Sequence, residues 1–349
     1  MNPWPSPLWS RRLPSLASDK MPKSLWTLVW HLSAIDQIWA AVLSIAVALL
    51  DTAPIEVQRR IVNAITQGHD FSPVLILTLI YGGLVLIQGL TKLLLNIYRS
   101  WIAENSVRAL RSFVGGLPSA QKPRENKDDV RAQGTEISIV LAETDPVGTF
   151  VGASVSEPLL QIGILCCVFG YLAYLRPLMA LVALVVLSPQ FIFVPLIQRA
   201  INRKVSKRIS TLRAASAGMV VEPSDLRAAL RRQESRFFHV FRLNMIVFKL
   251  KFSLNFLMNL SHHVGIAAIL GIGGWLVVAG KTEVGTVVAF ISGMQTIKDP
   301  WGDLVTWYQN LMVTRTKFDL ISDAVRERGS ASEELAAEGR EAAFAPESS

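Results

Sequence analysis

Apolar positions along the chain gather into six long runs separated by polar segments. The runs cover 38–50 (extended toward residue 34), 73–97, 147–175, 177–197, 252–279 and 284–297, the last turning polar while still reading as helix to about residue 313. A bilayer core needs roughly 20 apolar residues per helix, and in lipid each backbone polar group must find its partner inside the helix. The pattern therefore predicts an all-α membrane protein with six transmembrane helices. Lys92 near the end of the second run can snorkel to the interface, and Glu157 is the only charge in the third.

Charge orders these helices. Segment 98–146 carries Arg99, Arg108, Arg111, Lys122, Arg124, Lys127 and Arg131, and segment 199–251 is more basic still, from Arg199 through Lys207 and Arg236 to Lys251. Lys and Arg mark cytoplasmic loops. Both segments, and the N-terminal Arg11, Arg12, Lys20 and Lys23, are expected inside. The turns at Arg176 and Lys281 and the segment 51–72 fall outside, which puts both termini in the cytoplasm of a multi-pass protein of the plasma (inner) membrane.

Composition changes the picture little. A net charge of +8 and a pI near 9.7, taken alone, fit a nucleic-acid binder. With 51% hydrophobic residues and a mean hydropathy of +0.37, orientation and anionic headgroups account for the basic residues, and no nucleic-acid partner is expected. Cys166 and Cys167 are neighbours inside the third run and read as small apolar groups, with neither metal nor disulfide implied. Residues 1–22 read as a disordered cytoplasmic leader, 23–325 as the membrane domain and 326–349 as a polar tail. Within 23–32, Leu25, Leu28, Val29 and Leu32 share one helical face with Trp26 and Trp30 beside it. Two readings fit: a short helix in the headgroup plane, or a continuation of the first span.

Candidate chemistry is sparse. In the sixth helix Ser292, Gln295, Asp299, Asp303, Thr306 and Asn310 recur at steps of three or four, so one face is polar and should meet water. The alternative is that Lys298 and Asp299 pair at the interface while the rest bond between helices. Glu157 is either a proton-coupling group or a solvated carboxylate near the cytoplasmic end. His262 and His263 point in neighbouring helical directions and read as packing rather than as ligands, so no metal site is expected. The Gly-Lys-Thr at 280–282 is not a phosphate-binding loop, because five residues rather than four separate Gly274 from Gly280 and no buried strand precedes it.

The order of features over about 23–325 resembles the transmembrane domain of ATP-binding cassette exporters. The resemblance rests on Gly280 to Phe290 (GKTEVGTVVAF), on Pro300 ten residues later, on the exit helix 310–324, on the loop 131–145 (RAQGTEISIVLAETD), and on 189–208 with Pro195 and its basic run. It implies a central cavity bordered by the polar face of the sixth helix. It also implies coupling helices that dock on an ATPase, one opening at Glu143 and Asp145 and including Phe150, another within 219–227 with Glu222 and Asp225. Acidic residues suit a helix N-terminus, and Phe150 would anchor in a groove on the partner.

In most of the family a nucleotide-binding domain follows the exit helix. The 349 residues hold no phosphate-binding loop, signature motif or Walker B strand, so no enzyme activity and no cofactor is expected in this chain. ATP and Mg would bind a separately encoded ATPase subunit, and the permease would pair with a second, like chain. Two other readings stand beside this one. The first is a proton-driven carrier resembling peptide-uptake permeases of the SbmA/BacA type, working through Glu157 or Asp299. The second is a membrane scaffold that transports nothing.

Overall fold

The computed structural model describes residues 21–68, 71–115, 143–217 and 226–344. All regular structure among them is helical: α1 (Leu25–Thr66), α2 (Phe71–Gly115), α3 (143–153), α4 (Ser156–Leu175), α5 (Pro177–Leu187), α6 (Gln190–Ala217), α7 (Leu226–Val278) and α8 (Val284–Phe344). The coupling candidates Glu222 and Asp225 and the loop 131–142 lie outside the described residues.

Among the described residues, five stretches are long and apolar enough to cross a membrane: Leu25–Thr66, Phe71–Gly115, Glu143–Leu175, Pro177–Arg208 and Glu234–Val278. Such a chain is compatible with a multi-pass membrane protein. The sixth run differs. Its uncharged part, 284–297, covers about 21 Å at 1.5 Å per residue, short of a core about 30 Å thick, and Lys298 and Asp299 interrupt it there. Several helices outrun the bilayer instead. The 53 residues of α7 and residues 300–344 of α8 are about 80 and 68 Å long.

Local chemistry sets the breaks. Ser33 leaves helical geometry (φ −149°, ψ 31°), so Leu25 to Leu32 form a segment distinct from the span that follows. The fourth run breaks at Ser188 and Pro189: proline has no N–H to offer the Val185 carbonyl, which accepts from the Ser188 hydroxyl at 2.8 Å instead. Gly280, at φ +67°, closes α7 in the left-handed conformation that glycine adopts without penalty.

The chain divides into two compact units. One comprises Met1–Pro54, Leu79–Cys167 and Pro300–Ser349; the other Ile55–Thr78 and Val168–Asp299. In the first, Leu25, Leu28 and Leu32 of α1, Leu110 and Val114 of α2, Val147 and Phe150 of α3, and Phe318, Ile321 and Val325 of α8 form one buried apolar core. Trp26 and Trp30 stay exposed beside it, on the face that the periodicity assigned them. Helix α3 crosses α2 at very short range through Gly148 and Gly152. A Cβ on the former would lie 2.5 Å from the Val107 nitrogen, and one on the latter 2.4 Å from the Arg99 carbonyl oxygen. Small residues four apart let helix backbones approach in this way. In the second unit, α7 packs antiparallel to α6 and beside α5.

Candidate functional site

The polar face of α8 is exposed where the sequence predicts it. Gln295 and Asp299 in the second unit, and Asp303, Thr306 and Asn310 in the first, are all exposed. Ser292 is half-buried and donates a 2.7 Å hydrogen bond to Gln58. Lys298 and Asp299 are both exposed and form no ion pair with each other among the described residues, which leaves the alternative reading without its pair.

Within the first unit, Asp303, Thr306 and Asn310 border a cleft of about 440 Å³. Asp145, Pro146, Thr149, Phe150 and Ala153 of α3 and Glu157 of α4 form its other wall, with Trp307, Val313 and Thr314 completing the α8 side. Three carboxylates border this space, and no Lys, Arg or His lines it among the described residues. Phe150 and Trp307 stack obliquely at 6.3 Å, and the Trp307 Nε1–H has no acceptor among the described residues.

Cations stand behind the carboxylates. Arg99 of α2 pairs with Glu157, its side chain only 11% exposed, and its Nε and second terminal nitrogen are buried without partners. Glu157 therefore does not stand alone, as the sequence suggested. It also accepts 2.7 Å from Gln161 Nε2, which donates 3.1 Å to Asp303 as well. The result is a polar chain from α2 through α4 to α8, and Asp303, which lacks an obvious partner in the sequence, is part of it.

The expected coupling residues are engaged inside the chain. Glu143 pairs with Lys317 of α8 at 2.7 Å and Asp145 with Arg111 of α2 at 3.2 Å. Phe150, 5% exposed, packs in the core of the first unit, where an aromatic side chain gains by burial. His262 and His263 do meet, edge to face at 5.5 Å, the first buried and the second exposed. They belong to no metal-binding group, since no cluster of three His, Cys, Asp or Glu residues occurs among the described residues.

A second polar cluster, in the second unit, escaped the sequence reading. Glu56 binds Arg59 and Arg60 and accepts from the Tyr171 hydroxyl, while Arg59 (3.4 Å) and Asn63 reach Glu283. The Gly285 N–H donates 2.8 Å to Asn63 Oδ1, and a Cβ there would sit 2.3 Å from the Arg59 carbonyl. Beside it Arg176 donates to the Lys281 carbonyl, so the Gly-Lys-Thr triplet is a pinned interhelical turn. The spacing of Glu56, Arg59 and Arg60 hinted at local pairing; nothing in it pointed to residues more than 100 positions away.

No family model matches the chain, and no curated protein matches it.

Proposed function

We propose that the chain is the permease subunit of an exporter-type ATP-binding cassette transporter, with six spans, both termini cytoplasmic and the α8 start as the sixth crossing. The observation that carries this reading is the polar face of α8 together with the cleft it borders. Residues 298–310 continue a helix whose apolar run is too short to span, and charged groups at that depth are tolerated only where they line water or pair. A water-filled cavity shared with a second, like chain meets that condition. Asp303, Thr306, Asn310 and Trp307 are then the substrate-facing residues.

The length of α8 supports the same reading, since its residues 300–344, about 68 Å long, give a separate ATPase subunit an extended helix to push on. Nucleotide binding biases the two states of the cavity only through differential affinity for them. The acidic start of α3 contributes by its pairs with Arg111 and Lys317, which tie α3 to α2 and α8. Coupling then runs through these contacts.

The Glu157, Gln161 and Asp303 chain favours a second reading, a proton-driven carrier on the same scaffold. Sidedness labelling tests the first reading. Single cysteines at Gln67 and Lys281 should react from outside, and cysteines at Thr211 and Asp319 only from inside. Six spans put residues 25 and 325 on one side, and an odd number of crossings, with these on opposite sides, refutes the exporter arrangement.

A further inference from the structure

Helix α7 carries an exposed apolar stripe that runs past its own membrane span. Phe238, Phe241, Met245, Phe248, Phe252 and Phe256 recur at steps of three or four and are all exposed, while Leu243 and Val247 on the opposite side are buried. Ring pairs Phe238 with Phe241 (6.2 Å) and Phe248 with Phe252 (6.3 Å) make the stripe continuous. Over 238–256 it measures about 27 Å.

Two cations line one edge. Arg242 stands four residues after Phe238 and three before Met245; Lys249 stands four after Met245 and three before Phe252. These spacings make each a surface neighbour of the stripe. Both are exposed, and neither is in an ion pair among the described residues. No Asp or Glu occurs between Glu234 and Glu283.

The uncharged run 252–279 covers about 42 Å, more than a bilayer core about 30 Å thick. The stretch from Phe238 to Lys249 therefore lies beyond the span, where aromatic rings left in water are costly. A second copy of the same face would bring cations against cations, whereas an anionic lipid surface complements them.

We propose that α7 tilts along the headgroup layer and binds anionic phospholipid there, with Phe238, Phe241 and Phe248 at the acyl boundary and Arg242 and Lys249 on lipid phosphates. Helices with Phe and basic residues so placed lie in the interface, and each basic side chain near an anionic surface strengthens binding about fivefold. The inference rests on α7 crossing a bilayer and not on transport.

Nitroxide labels at single cysteines in a Cys166→Ala, Cys167→Ala background test it. The full chain carries Phe241→Cys, Phe248→Cys or Leu270→Cys in vesicles of phosphatidylcholine with phosphatidylglycerol. Labels at all three positions should be open to oxygen and shielded from a water-soluble nickel chelate. Shielding at Leu270 with nickel access at 241 and 248 overturns the proposal while α7 still spans; nickel access at Leu270 overturns the spanning itself. Strong spin–spin broadening at 241 gives the face to a second copy and also overturns the proposal. In detergent extracts, Arg242→Gln and Lys249→Gln should each lower retained phosphatidylglycerol relative to phosphatidylcholine about fivefold. Unchanged retention in both is the contrary result.

Discussion

Gly152 is the position at which a single methyl group should be felt most. A Cβ there stands 2.4 Å from the Arg99 carbonyl oxygen and 2.9 Å from the Ala103 Cβ, against the 3.4 Å at which ordinary contact begins. Helix α3 must retreat by about 1 Å from α2 to admit it, and the obstacle is backbone, which no rotamer change relieves. Gly148, four residues earlier on the same face, is as tight against Val107, so tilting α3 about one glycine drives the other inward. Overpacking of this kind costs about 1–3 kcal/mol. The retreat also lengthens the 2.7 Å bond from Gln37 to the Val151 carbonyl. The assay is unfolding in mild detergent with increasing dodecyl sulfate, followed by tryptophan fluorescence, and Gly82→Ala is the control because a Cβ at Gly82 meets nothing within 4 Å. Gly152→Ala should lower the midpoint clearly and Gly82→Ala should not. Equal midpoints for both variants and the parent would refute the close crossing of α2 and α3.

Other outcomes follow from the same packing. Phe150→Ala should cost about 3 kcal/mol of stability in that assay, whereas Asp145→Asn, whose 3.2 Å pair with Arg111 is half exposed, should cost under about 1 kcal/mol. Glu157→Gln alone should cost about 2 kcal/mol by stranding the Arg99 guanidinium, less than a fully buried pair because Glu157 is 23% exposed; adding Arg99→Met should restore part of it, and strictly additive losses would argue against direct pairing. Gly285→Ala should destabilise the α1 contact with the start of α8 and raise proteolysis near residue 280, and unaltered cleavage would count against the Asn63 and Glu283 cluster. Asp303→Asn should change the affinity of the cleft for transported or fluorescent cationic probes at least fivefold without shifting the unfolding midpoint by more than about 0.5 kcal/mol, since Asp303 is exposed.

Much of the helical layout is legible in the sequence because apolar run length and 3.6-residue periodicity are local properties. The buried face of Leu25, Leu28, Val29 and Leu32 and the exposed face from Gln295 to Asn310 follow directly from spacing. The break at Ser33 gives the residues before it a direction of their own, which spacing left open. What stayed hidden depends on who meets whom at long range. Gln161 is an unremarked polar residue until it is found between Glu157 and Asp303, and Gly148 with Gly152 gains meaning only when Arg99 and Val107 stand opposite. Phe150 illustrates the limit: an aromatic residue in an amphipathic segment fits a core and a docking groove equally well, and spacing alone does not reveal its burial.

The proposed permease would move its substrate with ATP hydrolysed by a partner. The most direct test is to purify it from its native membrane in mild detergent through an affinity tag and assay the product for nucleotide hydrolysis. An ATPase subunit should co-purify in fixed ratio to the chain, with vanadate-sensitive turnover that falls when the Asp145 and Arg111 pair is removed. A homodimer that neither retains an ATPase nor hydrolyses ATP would contradict it, and would move the case to proton-driven transport.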